Sequence, residues 1–117
     1  MIKIRIIKDN SGFIWQFIVQ GHANYSKIGN DIVCAAVSVT SYTAVGALNE
    51  ILGFKENELI EVKDGYMSCS IPFEKMNKMS NKKKTEAKII METTRIGFKQ
   101  VEMQYGKYVW VIEENCG

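Results

Sequence analysis

The sequence is poor in the residues that mark metal and disulfide chemistry. It has one histidine and three cysteines, Cys34, Cys69 and Cys116, and no two of these cysteines form a CxxC pair. Structural zinc sites group their ligands at short spacing, so this set argues against a metal site. The first eight residues alternate charged and apolar side chains and lack the apolar stretch of a signal peptide. We therefore expect a cytoplasmic protein with reduced thiols and no metal or other cofactor.

The net charge is also small, and the sequence contains a single proline. A formal charge of +2 is too weak to indicate nucleic-acid binding by itself. Hydrophobic residues make up 46% and charged residues 24%, which is close to the globular average and excludes a disordered, collagenous or coiled-coil chain. A chain of 117 residues can bury a core but has no room for a second one. We expect a single domain over residues 1–117.

One long uncharged run needs a separate interpretation. The eighteen residues from Ile32 to Asn49 carry no charge, and this length approaches that of a membrane span. Serines, threonines and Gly46 interrupt the run, and no basic flank follows it. We predict a core helix and no membrane partner.

Turn signals and hydrophobic periodicity predict the order ββαββαββ. Ile2, Ile4 and Ile6 begin a strand, and a turn at residues 9–12 joins it to a second strand over residues 13–19. After a loop over residues 21–30, a helix is predicted from Asp31 as N-cap to about Leu52, with Gly53 at C′.

The second half of the chain is predicted to add two hairpins and one helix. Strands are predicted at residues 58–63 and 66–71, a helix at residues 81–99, and a last hairpin at residues 101–105 and 107–112. The predicted fold is α+β, a mixed or antiparallel sheet packed by two helices. The first helix is apolar nearly all round, so we expect the sheet and a second helix or a second subunit to cover it.

Cys34 and His22 are the candidate catalytic pair. In the predicted helix, Cys34 is the third residue after the cap, where unpaired N–H groups and the helix dipole favour the thiolate, which is the nucleophile. His22 opens the preceding loop and is the only imidazole available as a general base. The alternatives are a cysteine that simply packs in the core and a histidine without a role.

The two segments around these residues resemble a known signature. Gly21-His22-Ala23, followed by Gly29-Asn30-Asp31-Ile32-Val33-Cys34-Ala35-Ala36-Val37-Ser38, is similar to the paired motif of the ribosomal-processing cysteine protease family Prp. The resemblance covers essentially the whole chain.

The resemblance implies a bacterial endopeptidase. Family members remove an N-terminal extension from large-subunit ribosomal protein twenty-seven and cut after a pair of aromatic residues. The family's nucleophile falls on Cys34 and its general base on His22. The resemblance also implies a homodimer and a mobile loop over the site, here residues 21–30.

Four further residues are predicted to support the site. Asp31 would cap the helix; the less favoured alternative is that it orients His22. The hydroxyl of Ser38 lies one turn beyond Cys34, where it bonds His22, water or substrate, or else a backbone carbonyl. Gly21 and Gly29 would be the pivots of the loop. Unpaired N–H groups at the helix start, including that of Cys34, are candidates for the oxyanion hole.

Two other functions remain open at this point. The run formed by Lys75, Lys78, Lys82, Lys83 and Lys84 is typical of a solvated face, although a non-catalytic ribosome-assembly module would use it to contact ribosomal RNA. No aromatic residues interleave with the run, which weakens that alternative. A thiol redox sensor at Cys34 is disfavoured because no resolving cysteine lies nearby in sequence.

Overall fold

A mixed sheet of five strands organises the residues that the structure describes. This computed structural model covers residues 1–21 and 27–116, with the side chains of residues 27–31 left aside. The strands are β1 (Ile2–Lys8), β2 (Ile14–Gly21), β3 (Ile60–Lys63), β4 (Tyr66–Ser70) and β5 (Val109–Asn115). Their order is β3-β4-β2-β1-β5, with β1 and β5 parallel and the other neighbours antiparallel.

Two long helices, α1 (Lys27–Leu52) and α4 (Asn81–Tyr105), pack against the sheet and against each other. Two short helices, α2 (Glu56–Leu59) and α3 (Phe73–Asn77), precede β3 and follow β4. The long helices approach closely where Gly97 faces Thr40, because a Cβ on Gly97 would lie 3.1 Å from the Thr40 methyl. The α+β class and the mixed sheet confirm the predicted fold class.

The alternation in β1 decides which face of the sheet is covered. Ile2, Ile4 and Ile6 are buried in one core with residues of both long helices, whereas Lys3 is exposed and Arg5 is half-buried. Side chains alternate between the two faces of a strand, so the isoleucines lie under the helices and the charged residues lie on the open face.

Among the described residues, the sheet and α4 cover one side of the apolar helix α1. Ile32–Leu52 is long and apolar enough to cross a membrane by length and composition, and 33% of that segment is buried. Its buried side chains, including Val33 and Leu48, belong to the same core as β1. Val39 and Tyr42 remain exposed. The sheet and α4 supply the cover that was expected, and an apolar outer side of α1 is left facing solvent.

Both internal hairpins were predicted, although β3 begins at Ile60 because the predicted first two residues of this strand, 58–59, belong to α2. β1 pairs with β2, and β3 pairs with β4 around residues 64–65, where Gly65 has a φ of 67°. Helix α1 ends at Leu52, and Gly53 follows with a φ of 82°, in agreement with the predicted C′ position.

The predicted start of α1 and the predicted last hairpin were wrong. Helix α1 begins at Lys27, so the segment 27–30 is helical rather than part of a loop. Residues 101–105 form the last turns of α4, and one strand, β5, follows them in the described chain. Val101 stays helical because it continues the buried stripe of Met91, Thr94 and Phe98, spaced three or four residues apart.

Candidate active site

Cys34 lies on α1 at the rim of an open cavity of about 220 Å³. One wall comes from α1, and the others come from the start of β1, the end of β2 and the β3–β4 hairpin. The described residues that line it are Ile2, Val19, Gly21, Cys34, Val37, Ser38, Gly65, Tyr66 and Met67. The side chain of Cys34 is partly exposed, so a substrate can reach its sulfur.

Gly21 shapes the wall opposite the helix. Its backbone has a φ of 97°, a conformation that favours glycine, and its N–H donates to the carbonyl of Gly65 at 2.9 Å. A Cβ at this position would lie 2.4 Å from the carbonyl oxygen of Met1. A side chain here would therefore disturb β1 as well as the cavity.

The other two thiols have different surroundings. Cys69 on β4 is fully buried, and burial raises the pKa of its thiol to about 12. Cys116 is exposed and lies just beyond β5. A nucleophilic cysteine must be reachable and able to ionise. Cys69 is neither reachable nor easily ionised, whereas Cys34 is reachable from an open cavity.

Because α1 begins at Lys27 and not after Asp31, three of the predicted supporting roles are wrong. Asp31 lies inside the helix, four residues after Lys27, so the prediction that it is the N-cap was wrong. Gly29 also lies inside the helix and does not serve as a loop pivot. Cys34 is the eighth helical residue. Because only the first four N–H groups of a helix lack intrahelical partners, the N–H of Cys34 does not belong to the predicted oxyanion hole.

Ser38 and Gly21 line the same cavity as Cys34. The hydroxyl of Ser38 makes no hydrogen bond to the described part of the chain, whereas Thr40 and Ser41 bond to carbonyls four residues earlier. The Ser38 hydroxyl is thus available to a ligand in the cavity. His22 lies outside the described residues.

Sequence reasoning missed the wall formed by the β3–β4 hairpin. The register between β2 and β4 pairs Gln20 with Tyr66 and Val19 with Met67, which brings the hairpin turn beside Gly21. The dipeptide Asp64-Gly65 predicted a turn, but no local signal gave its place opposite α1. Among the side chains that the structure describes, no three metal-binding groups come together.

An α+β domain with a reachable thiol at an open cavity defines a candidate cysteine hydrolase. Residues 1–110 match the family described as cysteine protease Prp, and the chain therefore belongs to that family. It is 28% identical over 105 residues to the ribosomal processing cysteine protease Prp of Bacillus subtilis (strain 168), covering 90% of each chain. The same-named protein of Staphylococcus aureus (strain Mu50 / ATCC 700699) is 27% identical over 110 residues, with 93% of this chain and 95% of that one covered.

Solved structures share the fold. SMU.848 from Streptococcus mutans superposes with a TM-score of 0.74 at 23% identity and covers 99% of both chains. The essential ribosomal processing protease Prp from S. aureus, in complex with a covalently linked product peptide, has a TM-score of 0.71 at 22% identity, with 97% and 99% covered. At these identities the likeness concerns the fold alone.

Proposed function

We propose that the chain is an endopeptidase in which Cys34 is the nucleophile and His22 is the general base. The observation that carries the proposal is the cavity, because Cys34 and Gly21 line it together and His22 is the next residue after Gly21. No other imidazole exists in the chain to accept the proton of the thiol. Cys69 is too deeply buried to compete for the role.

In the proposed reaction, His22 takes the proton of Cys34 and the thiolate attacks the scissile carbonyl carbon. The tetrahedral intermediate collapses as the C–N bond breaks, and the imidazolium of His22 gives its proton to the leaving amine. Water, deprotonated by His22, then hydrolyses the thioester and releases the acid and the thiol. The hydroxyl of Ser38 serves as a hydrogen-bond donor to substrate or water in the same cavity.

The proposed substrate is the precursor of large-subunit ribosomal protein twenty-seven, cut after a pair of aromatic residues in its N-terminal extension. The names of the relatives support ribosomal processing, and a relative from S. aureus was solved in complex with a substrate peptide. The cavity wall also suits an aromatic side chain, since Val19, Tyr66 and Met67 present apolar surface.

A homodimer in the cytoplasm completes the proposal. Ile89, Ile96 and Met103 follow one another at seven-residue spacing on α4, and each is at least half exposed. Val39 and Tyr42 on α1 are also exposed. So much apolar surface on the long helices supports a two-fold contact between copies. The reduced thiols expected of the cytoplasm suit a cysteine nucleophile.

Cleavage of a synthetic precursor peptide tests the catalytic assignment. Mass spectrometry of the products should show a cut after the aromatic pair with the wild-type chain and none with Cys34→Ala. His22→Ala should lower the rate by at least about 100-fold, the typical contribution of a general base. The control is Cys116→Ser, which removes a thiol outside the cavity and should cleave at the wild-type rate.

The same assay separates the catalytic residues from the substrate. A peptide with both aromatic residues replaced by alanine should resist cleavage. Cleavage at full rate by Cys34→Ala would overturn the proposed nucleophile. Cleavage that depends on Cys34 but ignores the aromatic pair would leave the nucleophile in place and overturn the substrate.

A further inference from the structure

A strongly basic segment lies at the end of the sheet away from Cys34. Residues 73–88 contain six lysines and two glutamates, a local charge of +4 in a chain whose total is only +2. Lys75 forms an ion pair with Glu58. The other five, Lys78, Lys82, Lys83, Lys84 and Lys88, take part in none of the ion pairs between described residues. Most of this charge is therefore available to a ligand.

Two of these lysines border a groove of about 280 Å³, here called the lysine groove. Its lining consists of Asp9, Ser11, Phe13, Phe73, Met76, Asn77, Lys84 and Lys88. Lys84 is half-buried, as expected when a lysine stem lies along apolar surface and its ammonium group reaches water. The lysine run has no aromatic residue inside it, but Phe73 lies two residues before Lys75 and the fold brings Phe13 beside Lys84 and Lys88.

Phe73 gives the groove an aromatic surface that is open to solvent. Its side chain is 46% exposed, although it begins α3 directly after Pro72. The ring packs against Trp15, with centroids 5.2 Å apart and planes at 45°. This contact holds the ring in place, so a ligand that stacks on it would not have to order a free side chain.

Among the described lining residues, Asp9 is the one acidic side chain, and it is bonded to its own turn. Asp9 accepts hydrogen bonds from the N–H and hydroxyl of Ser11, at 2.9 and 2.7 Å, and from the N–H of Phe13 at 3.0 Å. The bonds from Ser11 and Phe13 hold the pKa of Asp9 below its ordinary value. These bonds hold one carboxylate oxygen, Oδ1, toward the donors of its own turn. Asp9 stays ionised, and Lys84 and Lys88 outweigh it, so the described lining carries a net charge of +1.

We propose that the lysine groove binds a single-stranded nucleic acid, with a base stacked on Phe73 and phosphates contacted by Lys84 and Lys88. These lysines are one helical turn apart, about 6 Å along α4, so each can meet a separate phosphate. Stacking on an exposed aromatic ring beside basic side chains is how proteins bind single strands without sequence preference. An acidic peptide would match the charge, but it would leave the exposed ring unused.

The lysine groove and the cavity lie at opposite ends of β1. Ile2 lines the cavity, whereas Asp9, just after the end of β1, lines the groove. Seven strand residues separate the two sites by roughly 20 Å. Nucleic-acid binding is thus a second function of the chain and does not depend on the proposed proteolysis.

Fluorescence anisotropy with a labelled RNA of about twelve nucleotides tests the proposal. The double variant Lys84→Gln/Lys88→Gln should weaken binding and lower the slope of log affinity against log salt by about 1.4, or 0.7 for each lost phosphate contact. The matched control is Lys63→Gln/Lys107→Gln, which removes the same charge away from the groove and should keep a slope near that of the wild type. All variants should keep the wild-type melting temperature, because the substituted side chains lie outside the core.

The aromatic contact is tested separately. Phe73→Leu should weaken binding of the RNA, and of a DNA of the same sequence, by about fivefold or more, but should leave binding of inorganic polyphosphate unchanged. Equal losses for polyphosphate and RNA would overturn the stacking contact. Absence of RNA binding, equal slopes for the two double variants, or a polyglutamate peptide that binds as tightly as RNA would each overturn the proposal.

Discussion

The carboxylate of Glu102 on α4 accepts a hydrogen bond from the backbone N–H of Val111 on β5, with the two atoms 2.7 Å apart. β5 is an edge strand of the described sheet: its inward N–H groups face β1, and outward ones such as this have no strand to bond. The second oxygen of the carboxylate accepts from Lys99 at 3.0 Å. One side chain therefore satisfies a donor of the sheet and ties the last turns of α4 to it.

Replacing Glu102 should destabilise the fold in a pH-dependent way. Burial raises the pKa of Glu102, but the bonds from Val111 and Lys99 outweigh this effect and hold it below its ordinary value. A depressed pKa contributes stability above the unfolded value of about 4.3, and that contribution is lost as the pH falls through the folded value. We expect Glu102→Ala to lower the free energy of unfolding by about 1–3 kcal/mol at pH 7.

Urea unfolding of Glu102→Gln at pH 7 and at about pH 3 measures this dependence. The free energy of unfolding should be lower than that of the wild type at pH 7, and this difference should shrink at the lower pH. Glu50→Gln, at an exposed position of α1, is the control and should match the wild type at both pH values. If Glu102→Gln differed from the wild type by the same free energy of unfolding at both pH values, the charge of Glu102 would not contribute to stability.

Gly21→Ala should lower the free energy of unfolding more than Gly12→Ala does. Both glycines have positive φ, 97° and 88°, so alanine at either position is strained by about 1–2 kcal/mol. Only at Gly21 would the new methyl group meet the carbonyl oxygen of Met1, because nothing lies within 4 Å of a Cβ at Gly12. We expect Gly21→Ala to cost about 1–3 kcal/mol more than Gly12→Ala, by comparison of urea unfolding curves. Equal costs would show that Met1 simply moves aside.

Alkylation should separate the thiols. In a Cys116→Ser background, which removes the exposed thiol, iodoacetamide should modify Cys34 at least about 100-fold faster than Cys69 in the native protein. The reason is that Cys69 is buried and its pKa is raised to about 12, whereas Cys34 borders an open cavity. Peptide mapping gives both rates, and denaturation should make Cys69 reactive. Similar native rates would contradict the distinction between the two sites.

The proposed homodimer should depend on the exposed apolar residues of α4. We expect light scattering at micromolar concentration to give the mass of a dimer for the wild type and of a monomer for Ile89→Glu/Ile96→Glu. Both side chains are at least half exposed, so the fold should survive the change. Trp110→Glu is the control, since this residue is 54% exposed on the open face of the sheet and should keep the dimer. A monomeric wild type would overturn the dimer.

Local sequence patterns correctly predicted the strands, turns and helix ends that depend on residues close together in the chain. The alternation of Ile2, Ile4 and Ile6 predicted β1, and Asp64-Gly65 predicted the turn between β3 and β4. Gly53 marked the end of α1 because a left-handed residue after a helix is usually glycine. Cys34 stood out as the candidate nucleophile from the motif around it, and the structure then placed it at a cavity.

Two predicted element boundaries were wrong. Asp31 has the chemistry of an N-cap, but α1 continues upstream of it to Lys27. The segment 101–105 alternates like a strand, yet Val101 is buried with Phe98 on the inner stripe of α4, and that packing outweighs its local preference for a strand. The wall formed by Tyr66 and Met67 depends on pairing between β2 and β4, which are 45 or more residues apart in the chain, and no local pattern contains that register.

The position of β1 determines where a protein can be fused to this chain without closing its cavity. The carbonyl of Met1 lies against Gly21, and Ile2 lines the cavity, so a polypeptide joined ahead of Met1 would begin beside Cys34. The N–H of Cys116 bonds to the carbonyl of Lys8 at the other end of β1. A reporter joined downstream of Cys116 would start at this opposite end and would leave access to Cys34 open.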